Sequence, residues 1–241
     1  MDALTLTNAS IYTMDPGSAK VAGLRIQNGR IIQILSGEEG KDSPSQGNFV
    51  DLQGKIVLPG LIDSHLHLRK YAETLSRINC ETKTKSQCLE RVQQKVESTP
   101  PGEWILGHGW NHNKWEDGYG TASELDLIAP ENPVYLTGKS LHVSWANSMA
   151  LELGGVSKDT RDTSLGVLQR DSNGDLTGIL LEEAVKLIES VIPEPSVEMT
   201  AANIRSAQET LWKKGLTGVH DFDRELCIQA LQLLDKEDQL R

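Results

Sequence analysis

The spacing of apolar residues over the first sixty positions is the strongest constraint on the fold of this chain. Leu4 and Leu6 stand two positions apart, and the same spacing recurs over 24–26 and 32–34. A period of two is typical of half-buried strands, because successive side chains on a strand point to opposite faces. We therefore predict an antiparallel β unit in the N-terminal part of the chain.

Two segments between these runs are predicted to be a turn and a loop. Asn28 and Gly29 predict a tight hairpin turn, because both residues tolerate the positive φ that two-residue turns require. Residues 36–48 are rich in glycine, serine and charged side chains, and they predict a loop.

The pattern changes after Leu58, where segments with helical spacing alternate with short apolar runs. Helices are predicted over 84–98, 196–212 and 225–234. Thr121 begins a capping-box pattern, which marks the start of another helix. The predicted strands between the helices are 104–106, 134–136, 166–169, 176–181 and 216–220. This alternation predicts a β unit that leads into an α/β domain.

His65 and His67 form a His-x-His pair in the segment that follows Leu61. If 61–68 is a strand, Asp63, His65 and His67 share one face, with about 7 Å from each to the next. Two imidazoles at that spacing can bind one divalent metal ion. The spacing alone is equally compatible with two ordinary polar residues on a strand.

The residues around this pair resemble a known family. The ten residues from Leu58 to His67 resemble the start of the barrel in the amidohydrolase superfamily. Further segments narrow the resemblance to the subgroup often called YtcJ-like, which includes N-substituted formamide deformylases. The matching segments are 100–111, 142–151, 178–184 and 215–221. With the N-terminal β region they cover nearly the whole chain.

The resemblance implies a fold that is α/β plus β. It would combine the N-terminal part of a composite β-sandwich with an incomplete TIM-like (β/α) barrel and an inserted α/β subdomain. A complete barrel of this type has eight strands and about 250 residues of its own, so we expect this chain to supply only about two of the strands. The expected divisions are 1–58 for the sandwich portion, 59–69 for the first barrel strand, 70–199 for the inserted subdomain and 200–241 for the resumed barrel.

The resemblance also implies a metal-dependent reaction. His65 and His67 would bind one or two divalent ions, most commonly zinc, which activate a water for attack on an amide, formamide or imide C–N bond. Glu182 lies where the family carries a glutamate and would bridge two metals. The alternative is that Glu182 and Glu183 are the acidic first turn of a following helix, which the helix dipole favours.

Four residues are predicted to contact the substrate: Trp110, His142, Asn147 and His220. Trp110 stands among polar residues, and His142 and Asn147 carry groups that orient polar substrates through hydrogen bonds. The two residues before His142 are Ser and Leu, where the family carries Asp-Gly. The alternatives are a surface histidine beside a core tryptophan for His142, and a structurally satisfied histidine for His220.

The charge balance excludes some partners. The chain has 34 acidic and 24 basic residues, a formal net charge of -10, and no Lys/Arg cluster. Nucleic acid and anionic membranes are therefore not expected partners.

Three cysteines without a CxxC pair are typical of a reducing compartment, so we expect a cytoplasmic location. The N-terminal residues lack a signal-peptide pattern, and no apolar run approaches the ~20 residues of a membrane helix.

The residues that would complete the site have no counterpart after Asp221. The resemblance implies two further histidines and an aspartate as general base, whereas 222–241 contains no histidine. We therefore expect activity to require a C-terminal half. The expected substrate is a small amide-like molecule. The expected protein partner is a second copy of this chain or a chain that supplies the C-terminal half. The alternatives are a non-catalytic metal-binding or subunit-interaction module, and an unrelated α/β binding domain that binds no metal.

Overall fold

A computed structural model describes residues 3–18, 20–37 and 48–240 of the chain. The chain divides into two compact units, Met1–Asp63 with Gly215–Gly218, and Ser64–Lys214 with Val219–Arg241. Most of the loop predicted over 36–48 lies outside the described residues. Within the described ranges, no helix has both the length and the apolar composition needed to cross a membrane.

The first unit is built from short strands in two sheets. The strands are β1 (Leu4–Thr7), β2 (Ser10–Tyr12), β3 (Lys20–Val21), β4 (Gly23–Gln27), β5 (Arg30–Leu35), β6 (Asn48–Asp51) and β7 (Ile56–Val57). One sheet has the order β5-β4-β1-β6 and the other the order β3-β2-β7. Ile11, Val21 and Leu24 form one buried cluster and come from both sheets.

The strand pairing of the first unit follows the prediction in part. Asn28 and Gly29 join β4 to β5 with φ of 50° and 73°, which confirms the predicted hairpin turn. The prediction of a wholly antiparallel unit is wrong, because β6 pairs parallel with β1 and β7 pairs parallel with β2. Parallel neighbours require a long crossover, and local alternation carries no information about which strand returns to which edge.

The second unit contains a mixed sheet covered on both faces. Its strands are β9 (Ile78–Asn79), β10 (Ile105–Trp110), β11 (Val134–Gly138), β12 (Val143–Ala146), β13 (Gly166–Arg170) and β14 (Leu176–Glu182), in the order β13-β14-β12-β11-β10-β9. Val134 and Leu136 pack into one buried cluster and Tyr135 into another. This alternation along β11 shows that both faces of the sheet are buried.

Helices cover this sheet and form a further layer. They are α1 (Leu68–Ser76), α2 (Lys85–Val96), α3 (Ala122–Ile128), α4 (Ser148–Leu153), α5 (Val185–Glu189), α6 (Val197–Lys213) and α7 (Glu225–Lys236). Residues of α2 and α3 belong to the buried cluster that contains Val134 and Leu136, and residues of α4 and α5 belong to the cluster that contains Tyr135. The two pairs of helices therefore cover opposite faces of the sheet. Helix α6 packs against both α1 and α7.

The starts of three helices confirm the local sequence signals. Thr84 accepts a hydrogen bond from the Gln87 N–H at the start of α2, and Ser196 accepts one from the Met199 N–H at the start of α6. Thr121 forms the predicted capping box at the start of α3. Each of these side chains satisfies a backbone N–H that the helix leaves without an intrahelical partner.

The two strands expected to begin the barrel pair with each other. They are β8 (Leu61–Leu66) and β15 (Leu216–Asp221). The Leu61 N–H bonds to the Gly215 carbonyl and the Phe222 N–H bonds to the Leu66 carbonyl, so the strands run parallel. Across the described ranges no sheet closes on itself, and the barrel therefore stays a prediction.

Candidate metal centre

The His-x-His pair lies at the junction between β8 and α1. The predicted strand over 61–68 is too long, because β8 ends at Leu66 and His67 is the residue that precedes α1. The His65 and His67 side chains are both exposed, and their ring centroids lie 5.7 Å apart. With metal–nitrogen bonds of about 2.0–2.1 Å, two rings that share an ion have centroids up to roughly 6 Å apart. The two imidazoles therefore fit a shared divalent ion.

Both imidazoles are held by the segment that ends β15. The ring of Phe222 stacks on the ring of His65 with centroids 3.9 Å apart and planes 9° from parallel. The Asp223 Oδ1 atom lies 3.2 Å from Nδ1 of His67. The Asp223 side chain is 4% exposed, whereas that of His67 is 47% exposed. A buried carboxylate thus anchors an exposed ring.

The same segment supplies the cap of α1. His67 precedes the helix without a side-chain cap of its own. Asp221 Oδ1 accepts a hydrogen bond from the Leu68 N–H at 2.8 Å, and Asp223 Oδ2 accepts one from the Arg69 N–H at 2.6 Å. Two carboxylates at a helix N-terminus also interact favourably with the helix dipole. The position of α1, and with it that of His67, is therefore set by β15.

Asp221, Asp223 and Cys227 form a second group that resembles a metal site. Among the described residues, they are the one set of three metal-ligating side chains whose ligand atoms lie within 4.8 Å of one another. Both carboxylates already accept backbone N–H groups of α1. Burial, together with the Asp221 carboxylate, raises the pKa of the Cys227 thiol to about 12. The group is best explained as a helix cap.

An open cleft of about 570 Å³ lies beside His67. Its lining includes Arg69, Lys70 and Arg224 as cations and Glu194 and Glu225 as anions. The volume is in the range of small-molecule sites. A polar substrate placed there would lie next to the ring of His67.

Glu182 and His142 form a pair at the end of β14. The two side chains are 60% and 70% exposed, and Nδ1 of His142 lies 2.9 Å from Oε2 of Glu182. Helix α5 begins at Val185 without an acidic residue in its first turn, so the alternative that Glu182 and Glu183 form the acidic first turn of this helix is wrong. Glu182 does not form a group of three within 4.8 Å with His65 and His67. Its role as a metal ligand stays a prediction.

Trp110 lies in the core of the second unit and not at a pocket. Its side chain is 1% exposed, its ring stacks on Trp115 at 5.8 Å, and its Nε1–H donates to the Leu136 carbonyl at 2.8 Å. The predicted substrate contact does not agree with this position. The indole is both buried and satisfied by the backbone, so it has no free polar atom to offer a ligand.

Asn147 also serves the fold. It is 1% exposed, its Oδ1 accepts the Val134 and Ala150 N–H groups, and its Nδ2 donates to the Ala129 and Asn132 carbonyls. The side chain caps α4 and joins it to the first residue of β11. The predicted substrate contact does not agree with this arrangement, because the amide has no bonding capacity left.

His220 is exposed on β15. It stands two positions before Phe222, which follows the end of β15 and whose ring stacks on His65. Its contact with a substrate stays a prediction.

Residues 48–238 match the sequence model of the amidohydrolase family. This chain belongs to the amidohydrolase family. It is 33% identical over 218 residues to the putative amidohydrolase YtcJ of Bacillus subtilis, covering 88% of this chain and 41% of YtcJ. It is 31% identical over 230 residues to the N-substituted formamide deformylase of Arthrobacter pascens, and the match covers 92% of this chain and 42% of the deformylase.

A solved structure of similar fold comes from Pyrococcus horikoshii OT3. It is described as an uncharacterized metal-dependent hydrolase, and it matches with a TM-score of 0.71 and 31% identity over 99% of this chain and 47% of its own. The predicted resemblance to YtcJ-like amidohydrolases is confirmed. The chain spans less than half the length of each of these three proteins.

Phe222 and Asp223 are the site residues that the sequence analysis missed. They follow a strand and precede the helix that begins at Glu225, in the pattern His-Asp-Phe-Asp over 220–223. An acidic residue after a strand that also carries a histidine is a signal that could have marked the segment. Its partner on α1 is 154 residues away in sequence, so no local pattern connects the two.

Proposed function

We propose that the intact amidohydrolase containing this chain is a metal-dependent hydrolase that cleaves the C–N bond of an amide, formamide or imide. The observation that carries the proposal is the pair of exposed imidazoles, His65 and His67, held 5.7 Å apart by ring stacking and by a buried carboxylate. The similarity to an N-substituted formamide deformylase supports the C–N bond as the target.

His65 and His67 would hold the ion, which we propose to be zinc. A divalent ion bound there supplies an activated water and polarises the substrate carbonyl. Neutral imidazole nitrogen is a common ligand for zinc. The donor set of two imidazoles at one strand end fits such an ion and leaves coordination positions for further ligands.

The substrate would enter the cleft beside His67. Arg69 and Lys70 on α1 and Arg224 before α7 line this cleft and offer hydrogen-bond donors to a polar carbonyl compound. We propose a small amide-like substrate on this basis. His220 and the pair of His142 and Glu182 stay candidates for further contacts.

We propose that sequence outside this chain completes the site. Leu61 and Ile62 on β8 are 56% and 65% exposed, and apolar strand residues of this kind are normally covered. Further barrel strands would cover them and would carry the general base and the remaining metal ligands.

The test is a hydrolysis assay on the natural full-length protein after reconstitution with zinc. The substrates are an N-substituted formamide, a simple amide and a cyclic imide, with a matched ester as comparison, and the products measured are the released acid and amine. We expect turnover of at least one C–N substrate that chelation abolishes, and loss of turnover in His65→Asn and in His67→Asn. The control His112→Asn changes a histidine that stacks on Tyr119 in the second unit, and it should retain activity.

Two results would contradict the proposal. Turnover that survives both histidine substitutions would remove His65 and His67 from the reaction. A protein that binds zinc but hydrolyses none of the C–N substrates would favour the non-catalytic metal-binding module.

A further inference from the structure

The contact between Asp223 and His67 restricts the proton on the imidazole. An ionised carboxylate can only accept hydrogen bonds. Because Oδ1 of Asp223 lies 3.2 Å from Nδ1 of His67, Nδ1 must carry the proton in the neutral ring. The other ring nitrogen, Nε2, then holds the lone pair that a metal ion requires.

Asp223 is itself held in place on two sides. Its Oδ2 accepts the Arg69 N–H at 2.6 Å, and its own N–H donates to Oδ2 of Asp221 at 3.2 Å. The side chain is 4% exposed. A carboxylate fixed in this way cannot turn away from His67 without the loss of bonds that cap α1.

We propose that Asp223 is a positioning residue that fixes the Nδ1-protonated tautomer of His67 and so presents Nε2 to the metal ion. The inference rests on the proposed metal site. Carboxylates that accept the second ring N–H of a metal-ligating histidine orient the ring and raise its basicity, and their loss typically weakens metal binding about 10-fold to 100-fold.

Asp223→Asn separates the positioning role from the capping role. The amide oxygen of Asn can still accept the Arg69 N–H, which preserves the cap of α1. The amide nitrogen then faces Nδ1 of His67 and donates to it, which forces the proton onto Nε2. An Asp-to-Asn exchange beside a histidine can leave the geometry intact and produce the wrong tautomer.

Asp221→Asn is the matched control. Asp221 contributes to the same cap through the Leu68 N–H and supports the Asp223 N–H, and no hydrogen bond joins it to the ring of His67 among the contacts of the described residues. The control therefore loses stability through the cap without a change of partner at Nδ1.

Two measurements on the natural full-length protein test the proposal. The first is the ¹⁵N spectrum of the metal-free protein with labelled histidine at about pH 8, where an ordinary imidazole is neutral, with the His67 signals assigned from His67→Asn. The second is zinc affinity by competition with a chelator. We expect Nδ1-protonated His67 in the wild type and Nε2-protonated His67 in Asp223→Asn. We expect zinc affinity about 10-fold to 100-fold lower in Asp223→Asn and a smaller loss in Asp221→Asn.

Three results would overturn the proposal. These are a wild-type His67 that is protonated at Nε2, an Asp223→Asn variant with wild-type zinc affinity, and an Asp221→Asn variant that loses as much affinity as Asp223→Asn. If the wild type binds no zinc, the proposed function fails, and the ¹⁵N spectrum still decides the role of Asp223 because it needs no metal.

Discussion

Asn147 and Asp223 are both nearly buried polar side chains at the start of a helix, yet they serve different ends. All four hydrogen bonds of Asn147 run to backbone groups, in α4, at the start of β11 and in the segment between α3 and β11. Asp223 gives one oxygen to the backbone of α1 and the other to an exposed imidazole. A buried polar side chain whose hydrogen bonds all go to backbone groups stabilises the fold. One that also bonds to an exposed side chain can orient that side chain for binding.

The contrast extends to one aromatic residue in each of the two regions. Trp110 is buried and satisfied in the core of the sheet. Phe222 is 52% exposed and stacks on His65. We therefore expect substitutions at Trp110 and Asn147 to change stability with little effect on metal binding, and substitutions at Phe222 to do the reverse.

Trp110→Ala should show the largest effect. Removal of a fully buried tryptophan typically costs about 3–5 kcal/mol, so the variant should unfold at markedly lower temperature or denaturant concentration. The measurement is urea denaturation followed by circular dichroism. Trp212→Ala is the control, because Trp212 is 42% exposed on α6. A stable Trp110→Ala variant with lost substrate turnover would restore the predicted substrate contact and break the comparison.

Asn147→Ala should come next. The substitution leaves buried N–H and carbonyl groups without partners, at about 1–3 kcal/mol for each unsatisfied group. The free energy of unfolding should fall by at least about 2 kcal/mol, and zinc affinity of the folded fraction should not change. Asn113→Ala, at an exposed position, serves as control. If zinc affinity fell and stability did not, Asn147 would belong to the site.

Phe222→Leu should show the smallest effect, and on metal affinity more than on stability. Stacked aromatic pairs contribute about 0.5–1.5 kcal/mol beyond burial, and the substitution removes this contact from the ring of His65. If this stacking energy is lost from zinc binding, the zinc affinity should fall by roughly 2-fold to 10-fold. Phe222→Tyr retains the ring and should bind zinc as the wild type does. Equal affinities in all three proteins would show that the stack does not position His65.

The sequence predicted what local chemistry determines. The turn at Asn28, the helix starts at Thr84 and Ser196, and the capping box at Thr121 depend on residues a few positions apart, and all four are confirmed. The family followed from the ten residues that end at His67, and the amidohydrolase match confirms it.

The remaining features depend on contacts between residues that are distant in the sequence. Polar neighbours suggested a pocket at Trp110, but its Nε1–H finds the Leu136 carbonyl on the next strand. The partner of Glu182 is set by the antiparallel pairing of β12 and β14, which brings His142 opposite. The cap of α1 comes from residues 153 and 154 positions away. These contacts are consequences of the assembled fold.

The most direct test of the account is a crystal structure of the natural full-length protein with zinc, with data collected at the zinc absorption edge. The account predicts an anomalous peak about 2.0–2.1 Å from a ring nitrogen of His65 and from Nε2 of His67, with Nδ1 of His67 still bonded to Asp223. A peak among Asp221, Asp223 and Cys227, a bond from zinc to Nδ1 of His67, or the absence of any peak near the two histidines would contradict it.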